Sequence, residues 1–262
     1  MKISATSKAV YEWSGSVLIA GILEGPIESQ INLFKTLIKD TYLKQRFNEA
    51  KFEGKKNQKL AIELWEGKIK KIVFVGLGKA ENLRLDDLRK GASIGTRQVF
   101  GYGKKLGIFF PWDAFDSSSA VCAVGEAVKL SSLKDLRFKS ERNELTAIEE
   151  VELIGLDVKS TESAIAEINP ICEGVKFARE LVSAPPNILT PYQMAKEAEK
   201  IATDYDLDLK ILDKKDCEKQ GMGAYLAVAK GSDLEPNFIH LKYSPKTVKN
   251  KVVLIGKGLT FD

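Results

Sequence analysis

The chain has 262 residues, 44% of them hydrophobic and 29% charged, which is enough for one large domain or two smaller ones with a real core. Its 40 basic and 36 acidic side chains are spread along the whole length, so the net charge of +4 creates no strong field for nucleic acid or an anionic membrane. The start carries no apolar leader and the longest apolar stretches, such as 17–23, are far too short for a bilayer, so the sequence predicts a cytoplasmic protein.

Short β-branched runs alternate with stretches of helical period, the pattern of an α/β fold with a parallel or mixed sheet. Residues 17–20, 72–75 and 108–110 are expected strands. Between them Ile31, Phe34 and Ile38 share one helical face, and Leu85, Leu88, Ala92, Gly95 and Val99 share another at three-four spacing. Residues 151–156 close this unit as a strand. After a polar stretch at 157–162, Ala164, Ile168, Ile171, Val175, Ala178 and Val182 define a long amphipathic helix. Pro170 lies inside it and lacks an amide donor, so a kink is expected there, or a restart with Asn169 as cap and Pro170 at the first position.

These features divide the chain into an amino-terminal α/β domain at 1–160, a linking helix at 161–183 and a second α/β domain at 184–262. Prolines 185 and 186 force a turn. Thr190, Pro191 and Gln193 then open a new helix as cap, first residue and third residue, with Met194, Ala198, Ile201 and Tyr205 as its apolar stripe. Strands are expected at 207–212, 237–243 and 251–256.

Few segments carry chemistry by themselves. Gly76 and Gly78 end a strand before a helix, as phosphate-binding turns do, but the third glycine and an acidic ribose partner are missing, so the segment reads as a plain turn. His240 is the only histidine, which removes a Ser-His-Asp triad and any two-histidine metal motif. Alternating with apolar neighbours, it reads as a structural residue. Cys122, Cys172 and Cys217 are few, odd in number and widely spaced, and are expected to be reduced, packed thiols. Lys257 and Asp262 follow an apolar strand through Gly256 and Gly258, beyond the carboxyl end where open α/β sheets collect ligands. The two glycines would let backbone approach closely or take positive φ, bringing both side chains to one point.

Three ordered motifs, ARELVSAPPNILTP at 178–191, GMGAYLAVAKGS at 221–232 and LIGKGLTFD at 254–262, closely resemble the leucyl aminopeptidase family. The strand and turn at 73–78 fit that family's smaller, macro-like amino-terminal domain. The resemblance implies a metalloexopeptidase of peptide turnover, a cytosolic homohexamer that removes unblocked amino-terminal residues, leucine among the preferred ones, from peptides. It also implies two adjacent divalent ions, manganese or zinc. Lys257 matches the amine that ligates one metal and Asp262 the carboxylate that bridges both. In the family the remaining metal carboxylates and the groups assisting the tetrahedral intermediate follow that aspartate. The sequence therefore holds no further catalytic residues, and the 262-residue chain, read as a truncated form, is expected to bind metal weakly and to be inactive alone. Two other roles stay open: a DNA- or nucleotide-binding module using Lys55, Lys56, Lys68, Lys70 and Lys71, and a non-catalytic subunit of the oligomer.

Overall fold

The computed structural model describes residues 1–141, 147–247 and 250–259. It divides into two compact units, Met1–Ala178 and Arg179–Asp262.

The first unit is built on strands β1 (Lys2–Thr6) and β2 (Val17–Glu24), helices α1 (Ile27–Ile31) and α2 (Asp40–Glu49), and strands β3 (Lys59–Glu63) and β4 (Lys71–Lys79). Helix α3 (Leu85–Val99), strand β5 (Lys105–Phe109), helix α4 (Ser117–Ser131), strand β6 (Glu150–Ile154) and helix α5 (Val158–Ser183) complete it, α5 running on past its limit. The six strands form one sheet in the order β1-β6-β5-β2-β4-β3, parallel except for β3, which pairs antiparallel with β4. This is the mixed α/β architecture the sequence implies.

The central strands β2 and β4 are covered on both faces, which is why they read as unbroken apolar runs. Successive side chains alternate between two cores. Val17, Ile19, Val73 and Val75 face α3, α4 and the front of α5, joining Leu88, Ala92, Val121, Val124 and Ile168. Leu18, Ile72 and Phe74 face α1 and α2, joining Phe34, Leu43 and Phe47. Phe34 meets the Phe74 ring edge-on at 5.1 Å.

Ile31, Phe34 and Ile38 are all buried as expected, but the α-turn of α1 tightens into a 3-10 turn at Asn32–Phe34. Three-four spacing asks only that the side chains reach one face, and this path does so. The helix after β6 starts earlier than its apolar period: Asp157 accepts from the Ser160 amide at 2.8 Å and draws the polar stretch into α5. No restart occurs at Pro170. Asn169 is no cap; its Oδ1 accepts from Lys129 Nζ on α4 at 2.6 Å, and Lys129 also pairs with Glu173 at 3.2 Å. Ile168 and Cys172, both buried on either side of the proline, hold α5 against α4, so tertiary packing carries the helix past one missing hydrogen bond.

The second unit contains α6 (Pro191–Tyr205), β7 (Asp208–Leu212), α7 (Lys214–Lys219), α8 (Gly223–Ala229) and β8 (Phe238–Lys242). The expected cap is present: Thr190 Oγ1 accepts from the Gln193 amide at 3.2 Å, with Pro191 at the first position. The buried stripe of α6 is rotated, however, to Ala195, Ala198 and Ala202, and Tyr205 is 71% exposed. Strands β7 and β8 form an antiparallel pair from Asp208↔Lys242 to Leu212↔Phe238. The strand expected at 251–256 is absent: this segment is in no helix or strand and is unpaired, with Leu254 93% and Ile255 95% exposed. A strand exists only through a neighbour's hydrogen bonds, and among the described residues none is beside it.

Candidate active site

Lys257 lies on that exposed segment, and Asp262 lies outside the described residues. Gly256 and Gly258 do not act as expected: neither has positive φ, and a Cβ added to either would meet open space. Close approach is not what these glycines serve here. Among the described residues no group of three or more histidine, cysteine or acidic side chains converges as a metal site would require. One exposed amine is not a metal centre, so the donors described here do not fit a pair of divalent ions and no reaction step is derived through them.

Gly76 and Gly78 lie within β4 rather than on a turn after it, paired with Ile22 and Leu23 of β2 across a register shift, and the chain itself explains both glycines. The Gly76 amide donates to the Gln58 carbonyl and the Gly78 amide to the Gly54 carbonyl, each at 2.8 Å. A Cβ at Gly76 would collide with the Lys55 carbonyl, and one at Gly78 would lie 2.6 Å from Lys56 Cγ. Both donors that a phosphate would need are therefore taken by residues 54–58. The first turn of α3 is taken too. Asp87 Oδ2 accepts from the Arg84 amide at 3.0 Å and from Lys56 Nζ at 2.7 Å. Burial alone would raise the Asp87 pKa, but the Lys56 ammonium and the Arg84 amide outweigh it and hold the carboxyl below its ordinary value. This pair, 31 residues apart, could not be foreseen from spacing.

Three of the five clustered lysines are engaged within the fold, while Lys68 and Lys70 are exposed. Lys55 pairs with Glu53 and Lys56 with Asp87. Lys71 is buried, its Nζ 3.8 Å from the Tyr102 ring centre and 3.6 Å from Glu63 Oε1, while Tyr102 donates its hydroxyl to Glu63. His240 on β8, opposite Lys210 on β7, is exposed rather than held inside a core, because the two-stranded sheet has little to cover it. The three cysteines are free thiols, Cys172 and Cys217 buried and Cys122 partly so. No helix among the described residues is long and apolar enough to cross a membrane.

Comparison with known proteins decides the family. Residues 21–142 match the model of the cytosol aminopeptidase family, N-terminal domain, and residues 176–262 match that of the cytosol aminopeptidase family, catalytic domain. The chain belongs to the cytosol aminopeptidase family. A probable cytosol aminopeptidase of Prochlorococcus marinus is 46% identical over 263 residues, covering 100% of this chain and 53% of that protein. One from a Synechococcus species is 42% identical over 265 residues, again 100% and 53%. The chain thus spans about half the length of the curated relatives it matches. Among solved structures, a tomato leucine aminopeptidase variant superposes with a TM-score of 0.83 at 27% identity, over 96% of this chain and 52% of that one. The bottromycin maturation enzyme BotP in complex with Mn, at TM-score 0.68 and 22% identity over 89% and 46% of the two chains, shares the fold. The cytosol aminopeptidase relationship accounts for all three motifs at 178–191, 221–232 and 254–262.

Proposed function

We propose that this chain is the front portion of a cytoplasmic, metal-dependent aminopeptidase that releases unblocked amino-terminal residues, leucine among the preferred ones, from peptides. The observation that carries the reading is 46% identity along the whole chain to a probable cytosol aminopeptidase, with the catalytic-domain model matched from residue 176 onward. In this reading 1–160 is the amino-terminal domain, 161–183 the linking helix and 184–262 the start of the catalytic domain.

Two divalent ions, manganese or zinc, belong to the complete site. The BotP structure, described as a complex with Mn, supports a metal of this kind. Lys257 would supply an amine ligand, which requires that it lose its proton, and Asp262 a carboxylate whose two oxygens can each face an ion. The other ligands would come from the half of the relatives that this chain does not span. Two donors cannot fill two coordination spheres, so residues 1–262 alone bind metal weakly and hydrolyse nothing measurable. The complete enzyme assembles as a homo-oligomer, a hexamer by family resemblance.

The test is an assay of the purified 262-residue chain on leucine p-nitroanilide with added manganese. The expected result is no metal-dependent release of nitroaniline; metal-dependent turnover abolished by Lys257→Ala would overturn the claim that these donors are insufficient.

A further inference from the structure

Residues 51–58 cross the carboxyl ends of β2 and β4. Phe52 anchors one end of this crossing in the core, its ring 5.1 Å from that of Phe47. Beyond it, Glu53, Lys55, Lys56 and Asn57 are all exposed, and Gly54, which is buried, has no side chain. A Cβ there would collide with the Leu23 carbonyl, so the segment lies directly on the backbone of β2.

Apart from the Lys56 methylenes, which lie against Gly78, polar contacts hold residues 53–58 in place. The Gln58 side chain organises the segment internally: its Oε1 accepts from the amides of Glu53 at 2.9 Å and Lys55 at 3.1 Å, and its Nε2 donates to the Lys51 carbonyl at 3.2 Å. Two backbone hydrogen bonds, from Gly76 and Gly78, join it to β4. Among the described residues one ion pair joins it to α3, Lys56–Asp87 at 2.7 Å. Between the segment and α3 lies a cavity of about 90 Å³ lined by Lys56, Asn57, Arg84 and Lys90, so that junction is incompletely packed. Lys51 and Asn57 hold φ of 48° and 68°, a left-handed conformation that side chains disfavour. Segments with few buried apolar contacts open at lower cost than the core they cover.

We propose that residues 53–58 are a latched strap. It opens as a unit while the sheet beneath stays folded, and the Lys56–Asp87 pair is the latch. Opening uncovers the amides of Gly76 and Gly78, and these are the reporters.

Hydrogen exchange resolved to single amides in the 262-residue chain tests this. Lys56→Met removes the cation; Asp87→Asn removes the charge while keeping an oxygen for the Arg84 amide. Both variants should speed exchange at Gly76 and Gly78 by roughly three- to tenfold, the effect of one charge-assisted bond at a partly exposed site. Amides of Ile19 and Ala20 in β2 should keep their rates. Unchanged exchange at Gly76 and Gly78 in both variants would overturn the latch. Exchange rising equally in β2 would overturn it as well, because the pair would then stabilise the whole unit.

Discussion

Two glycines in helices of the first unit should respond in opposite directions to the same substitution. Gly95 sits inside α3, where alanine would gain about 0.5–1 kcal/mol from helix propensity. A Cβ at that position, however, would lie 2.6 Å from Ile19 Cγ2 and 2.9 Å from its Cδ1 and Cγ1. Ordinary carbon contacts are roughly 3.5–4.0 Å, so about 1 Å of movement is needed. Ile19 is fully buried and β-branched, with little rotamer freedom to yield. Overpacking of this kind costs about 1–3 kcal/mol, so Gly95→Ala should lose about 1–2 kcal/mol net. Gly174 in α5 faces open space, and Gly174→Ala should keep its gain of about 0.5–1 kcal/mol. Urea unfolding followed by tryptophan fluorescence reads this unit selectively, because Trp13, Trp65 and Trp112 all belong to Met1–Ala178. About 1 kcal/mol also moves the melting temperature by about 2–4 °C in a unit of this size. A Gly95→Ala variant as stable as Gly174→Ala would refute the packing argument.

Phe34→Ala removes a fully buried ring that meets both Phe74 and Phe109, and should cost about 3–5 kcal/mol in the same titration. Glu152 accepts from the Trp13 indole at 2.7 Å and pairs with Lys105 at 2.9 Å. Burial alone would raise its pKa, but these two partners hold it below the ordinary carboxylate value. Its stabilising effect is therefore complete above the unfolded value of about 4.3 and is lost as pH falls through the lower folded value. A Glu152→Gln variant should accordingly show a shallower acid limb of melting temperature against pH. Burial raises the thiol pKa of Cys217, with Asp213 and Asp216 adding to it, so iodoacetamide should modify Cys217 near pH 8 only after denaturant is added; rapid modification of the folded chain would contradict its burial.

What local pattern decides was legible in the sequence. The runs at 17–20 and 72–75 announced β2 and β4 because both faces of those strands are buried, and Thr190, Pro191 and Gln193 announced the start of α6 because capping is local. Edge strands were hidden: β1 and β3 each bury only two alternating residues, Ile3 and Ala5 in one and Leu60 and Ile62 in the other, too few to mark a strand. The passage of α5 through Pro170 depends on α4, and the Lys56–Asp87 pair on a loop folding back, both long-range facts. At the candidate site the motif around Lys257 identified the family, while its geometry awaits neighbours for 251–256 that no local pattern supplies.

The central claim is that these residues are the front of a longer aminopeptidase, and the intact mass of the protein captured from its source cells tests it most directly. The account predicts a species well above the 29.0 kDa of residues 1–262, nearer twice that value, since the relatives are covered to only 53%. A sole species of 29.0 kDa would contradict it, and the proposed aminopeptidase reading with it.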